Sequence, residues 1–144
     1  FFVLFSFGWA RPVPVNPQNF ANPRRGMLTV ALAGPLANIV VAFAIGGLVK
    51  APGLIGTPWG DLASMLVWIN VVLAVFNLIP IPPLDGSRIL EGLLPSEQAI
   101  AYARIQPYGT VLILVLLYTG VVGQVMFPAV RWLYGASTGT GFHL

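Results

Sequence analysis

Asp85 is the first group in this sequence that could do chemistry, because of where it stands. It follows Asn77-Leu78-Ile79-Pro80-Ile81-Pro82-Pro83-Leu84 and precedes Gly86-Ser87-Arg88. Pro80, Pro82 and Pro83 have no backbone N–H to donate, so a helix entering this stretch ends in it. A carboxylate then appears near membrane depth, where an ionisable group is costly and needs a partner. Two partners suit it: the free N–H groups of a helix starting beside it, or a bound cation. Both stay open on the residues alone. Asp before Gly86-Ser87 and an apolar run reads as the N-cap of a short helix from Gly86 to Leu94, closed by Pro95. Other metal donors are scarce, since there is no cysteine, His143 is the single histidine, and Glu91 and Glu97 have no histidine near them. A catalytic zinc takes three protein ligands and a water, which Asp85 alone does not supply.

Amides are the next polar groups. Asn70 and Asn77 share one face of the apolar run that leads into the prolines, with Ala74 between them. Asn38 lies further upstream, beside Gly34-Pro35. Such residues either bond helix to helix or hold a substrate backbone or water near a broken span.

The elements that must carry these groups follow from composition. Hydrophobic residues make up 57% and charged ones 8%, too few charges to clothe a soluble domain, so the chain reads as an all-α integral membrane protein. The net charge of +3 is small and scattered, which argues against nucleic acid as a partner. Three transmembrane helices are predicted, at about 26–49, 62–80 and 105–127, within a single domain over 1–144. In the first, Gly34, Asn38, Ala42 and Gly46 recur every four residues as a small-residue seam for a neighbouring helix, and Pro35 predicts a kink. Residues 135–144 are small and polar, a flexible tail.

Ahead of the first span, a segment near 7–23 is too rich in proline for a helix and reads as extended or re-entrant. Pro12 and Pro14 blank one edge of an extended strand while Val13 and Val15 can still donate from the other. That edge either captures an extended peptide by strand addition or belongs to a stiff connecting loop. If connections alternate sides, Arg11, Arg24, Arg25, Arg88 and Arg104 share one side against Lys50 and Arg131, which puts Asp85 toward the cytoplasm.

Taken together, the segments Phe7-Gly8-Trp9-Ala10-Arg11-Pro12-Val13-Pro14-Val15-Asn16-Pro17 with Asn22-Pro23-Arg24-Arg25-Gly26, then Gly34-Pro35-Leu36-Ala37-Asn38, then Asn77-Leu78-Ile79-Pro80 into Leu84-Asp85-Gly86, resemble the site-2 protease family of intramembrane metalloproteases. The likeness covers roughly residues 7 to 90 and is nearest the compact prokaryotic type, which implies a prokaryotic plasma membrane. It implies hydrolysis of a peptide bond in the transmembrane segment of a protein substrate, at a zinc ion (Zn2+) inside the lipid bilayer. It further implies that Asp85 is a zinc ligand and that Asn77, with Asn38, Val13 and Val15, places substrate or water. Pro80, Pro83 and Gly86 would shape the break. The family's other ligands and its general base come from His-Glu-x-x-His, which this sequence lacks. With no initiating Met and a short apolar start, the expectation is an N-terminally incomplete and by itself inactive protease. The competing reading is a non-enzymatic membrane protein, either a transporter fragment with a broken helix or an inactive peptide-binding relative.

Overall fold

A computed structural model describes residues 21–139. The segment near 7–23 that carries Val13 and Val15 lies almost wholly outside the described residues, as does His143.

The first helix, α1 (Pro23–Val49), starts where Asn22 accepts a hydrogen bond from the Arg25 N–H and Pro23 takes the first helical position. It runs without interruption through Pro35, which is buried. The next helix, α2 (Pro58–Asn77), is capped by Thr57, whose hydroxyl accepts from the Gly60 N–H at 3.2 Å and donates to the Leu54 carbonyl at 2.7 Å. This cap starts the helix earlier than 62, and Pro80 stops it by Asn77. The proline stretch then turns the chain into α3 (Asp85–Leu93), followed by α4 (Ser96–Ala103) and a short 3-10 turn at Gln106–Tyr108. The chain ends in α5 (Gly109–Tyr118) and α6 (Val121–Thr138). No strand occurs among the described residues.

Three helical stretches are long and apolar enough to cross a membrane: Pro23–Val49, Pro58–Asn77 and Ser96–Tyr118. The run expected over 105–127 divides at Thr119-Gly120. Gly120 takes a left-handed φ of 75°, a conformation open to glycine at little cost, and the helix ends there. The chain reverses into α6, and α6 packs against both α2 and α1. Its first turns line a groove with Leu78 and Ile79, and its end reaches α1, where a Cβ on Gly46 would overlap the Ser137 carbonyl. Thus α6 runs from the proline break to the opposite end of the bundle. The flexible tail expected from 135 is instead helical as far as Thr138, because Ser137 and Thr138 are buried and both hydroxyls donate to the Tyr134 carbonyl.

The core follows from this arrangement. Ala42 of α1, Val67 and Val71 of α2, and Val122, Met126 and Val130 of α6 form one buried cluster. Trp68 and Tyr134 meet edge to face beside it, ring centroids 5.6 Å apart. Much of the remaining apolar surface is exposed, including Val40, Met65, Leu114 and Val125, as expected of helices whose outer solvent is lipid.

A candidate metal ligand on a short helix at the break

Asp85 opens α3 as its first helical residue, and Leu84, not Asp85, occupies the N-cap position, with no side-chain cap bond. The capping reading is therefore corrected. Leu84 enters in extended backbone while its carbonyl accepts from the Ser87 N–H and the Ser87 hydroxyl, at 3.0 and 2.7 Å. The Asp85 carboxylate is turned instead toward α1. A Cβ built on Gly34 would lie 2.7 Å from Asp85 Oδ2.

Asp85 is half-buried, and no hydrogen bond within the described residues engages its carboxylate. Burial pushes its pKa above the ordinary aspartate range, and the nearby Arg88 charge offsets this only in part. Its position at the helix start also favours the anion through the aligned backbone dipoles. The result is a carboxylate at the boundary of the bundle with its oxygens uncommitted.

Contacts at both ends of α3 hold it in place. At its near end Gly86 is buried so tightly that a Cβ there would overlap the carbonyl oxygens of Leu78 and Ile79. At its far end Arg24 of α1 donates from Nε to the Gly92 carbonyl at 2.8 Å and from Nη2 to the Leu94 carbonyl, covering orphan acceptors of the last turn. Between them Gly92 lets the Leu28 side chain lie close against the helix. The break itself is braced by the Tyr102 hydroxyl, which donates to the Pro80 carbonyl at 2.7 Å, and by Gly109, where a Cβ would overlap the Pro82 carbonyl.

The amides separate on inspection. Asn70 donates to the Leu66 carbonyl of its own helix at 2.9 Å, so it is satisfied locally. Asn77 stands at the last position of α2, just before the carbonyls that receive Gly86, and Asn38 lies one turn beyond Gly34 on the same face of α1. Both are half-buried, and neither amide makes a hydrogen bond among the described residues. The expected seam of Gly34, Asn38, Ala42 and Gly46 also divides. Ala42 and Gly46 are buried in the bundle, while Gly34 is exposed and approached by a carboxylate, not by a helix. The buried line on α1 is Ala31, Pro35, Ala42 and Gly46.

Two cavities flank the site without including Asp85. One, about 540 Å³, lies between the start of α1 and α3, α4 and the 3-10 turn, with Arg24, Arg88 and Glu91 in its wall. The other, about 370 Å³ and almost entirely apolar, lies beneath the break between Ile79, Pro80, Val122 and Met126. As a metal site the described residues are incomplete. An uncommitted carboxylate fits one coordination position, but no group of three His, Cys, Asp or Glu residues occurs among them. The sequence singles out Asp85, Gly86 and Pro80 and marks Arg24 as a basic residue on one membrane side and as part of the Asn22-to-Gly26 segment, but it gives no place to the Arg24 bonds to α3, to Tyr102 or to the Gly34 contact.

The profile described as Peptidase family M50 matches residues 53–119. YwhC of Bacillus subtilis, whose name describes it as a candidate zinc metalloprotease, is 39% identical over 135 residues, covering 88% of this chain and 61% of that protein. Rip2 of Mycolicibacterium smegmatis, named in the same way, is 36% identical over 110 residues, 75% of this chain and 42% of that one. Zinc metalloprotease MJ0392 of Methanocaldococcus jannaschii is 33% identical over 75 residues, 52% and 22% of the two chains. The chain thus spans about six tenths of the first of these relatives and less of the others. No solved structure matches it.

Proposed function

We propose that this chain, whose residues 53–119 match peptidase family M50 and which is 39% identical to YwhC, forms part of an intramembrane zinc metalloendopeptidase of that family, the site-2 proteases. Its substrates would be membrane-spanning proteins, cut within their transmembrane segments. Asp85 contributes one zinc ligand, and the remaining donors come from outside the described residues. The observation that carries this reading is the Asp85 carboxylate itself. It leaves its helix uncapped, accepts no hydrogen bond among the described residues, and is held at the surface of α1 by a pinned helix. A carboxylate that served only to cap would bond the N–H groups of its own first turn, and this one makes no such bond.

When bound, zinc supplies an activated water and polarises the scissile carbonyl. The residues of this chain do the positioning. Gly86 and Arg24 fix the helix that presents Asp85. Asn77 and Asn38 offer amide donors and acceptors to a peptide that must be unwound before cleavage, since a helical backbone has no spare hydrogen-bonding groups. The broken end of α2 provides the water-accessible irregular backbone that a hydrolytic step within a bilayer requires. The site faces the cytoplasm, supported by Arg24, Arg25, Arg88 and Arg104 at the same end of the bundle as the break.

The test uses the protein expressed from its whole gene, purified and reconstituted with a membrane-spanning substrate. Asp85→Ala and Asp85→Asn are expected to lose bound zinc and cleavage together. Unchanged zinc content and cleavage in Asp85→Ala would overturn the ligand assignment.

A further inference from the structure

We infer that Gly34 is a positioning residue for Asp85, its missing side chain being the seat into which the carboxylate fits. This rests on the reading of Asp85 as a metal ligand. A Cβ on Gly34 would stand 2.7 Å from Oδ2 and 3.8 Å from Cγ of Asp85, and the first distance is closer than real Cβ contacts come. Relief by moving the Asp85 backbone is obstructed. Its neighbour Gly86 already lies against the Leu78 and Ile79 carbonyls, and aspartate has one methylene and only two side-chain torsions with which to retreat. Relief by moving α1 is obstructed as well, because Pro35, the next residue, is buried against the bundle, as is Ala31 one turn earlier. The carboxylate must therefore rotate away from α1, and the oxygen that now rests on Gly34 changes place.

Gly34 has no backbone reason to be glycine. It lies inside a continuous helix and is absent from the residues with positive φ, and alanine is the better helix former there. Among the described residues its one steric demand is the Asp85 carboxylate. Residue 34 is thus predicted to act on the metal and on the fold in opposite directions, which a packing role would not produce.

The experiment has two arms on the protein expressed from its whole gene. In the first, zinc affinity is measured by equilibrium dialysis for the parent, Gly34→Ala and Asp85→Ala. A tenfold or greater loss of affinity in Gly34→Ala supports the seat. In the second, thermal midpoints of the metal-free protein are measured for Gly34→Ala in the parent and in the Asp85→Ala background. Gly34→Ala is expected to raise the midpoint more when the carboxylate is gone than when it is present. Unchanged zinc affinity in Gly34→Ala, or equal midpoint shifts in the two backgrounds, overturns the proposal. If Asp85→Ala keeps its zinc, the ligand reading fails instead, while the second arm still reports on the contact.

Discussion

Gly86→Ala tests whether the break and the short helix are one rigid unit. The added methyl would meet the carbonyl oxygens of Leu78 and Ile79, both backbone atoms in a segment fixed by Pro80, Pro82 and Pro83. Overpacking of a tight site costs about 1–3 kcal/mol, and two immovable carbonyls put this case near the upper figure. Alanine returns at most about 1 kcal/mol of helix preference, and less in a first turn. The net is about 2 kcal/mol against the docked helix, roughly a 30-fold shift in its opening equilibrium. Hydrogen exchange of the α3 amides in detergent or nanodiscs reads this directly. The variant should exchange faster over Ile89 to Leu93 while the buried middle of α2, around Val67 and Val71, keeps its protection. Unchanged α3 protection would refute the close approach of Gly86, and uniform loss through α2 would show that the break is not a separable element.

Other outcomes follow from the same contacts. Arg24→Ala should open the last turn of α3 by about 1–2 kcal/mol, the low end for charged donors because Arg24 is exposed, and Arg24→Lys should recover part of it; exchange at Leu93 and Leu94 is the readout. Asn77→Ala should lower cleavage of a membrane-spanning substrate while leaving zinc content and the thermal midpoint nearly unchanged, since its amide holds nothing among the described residues. A parallel fall in zinc and midpoint would show Asn77 to be structural.

Much of the architecture was legible because the bilayer imposes it. Long uncharged runs gave α1 and α2 within a few residues, and the proline cluster located the end of α2. The third packed helix was hidden inside one apolar run, where hydropathy does not change across Gly120 and only a left-handed φ divides α5 from α6. Burial of Ser137 and Thr138 was equally silent, because their hydroxyls are satisfied by their own helix and a polar sequence is then free to sit inside. The expectation that Asp85 caps its helix rested on a local preference. A carbonyl, that of Leu84, took the local bonds from Ser87 and left the side chain without a hydrogen bond among the described residues. Arg24 and Gly92 are 68 residues apart, and no periodicity records such a pairing.

The unequal lengths of α1 and α2 have a consequence for how the protein meets different bilayers. At 1.5 Å per residue the 20 residues of α2 reach about 30 Å, the thickness of a typical hydrocarbon layer, whereas the 27 residues of α1 reach about 40 Å. The shorter helix leaves no slack, so upright across such a layer it would bring its last residue, Asn77, and Asp85 beyond it, close to one face of the layer. A thicker membrane would submerge both groups, and a thinner one would lift them into water. Lipid chain length would therefore act as a physical dial on how wet this carboxylate is, set by the length of α2.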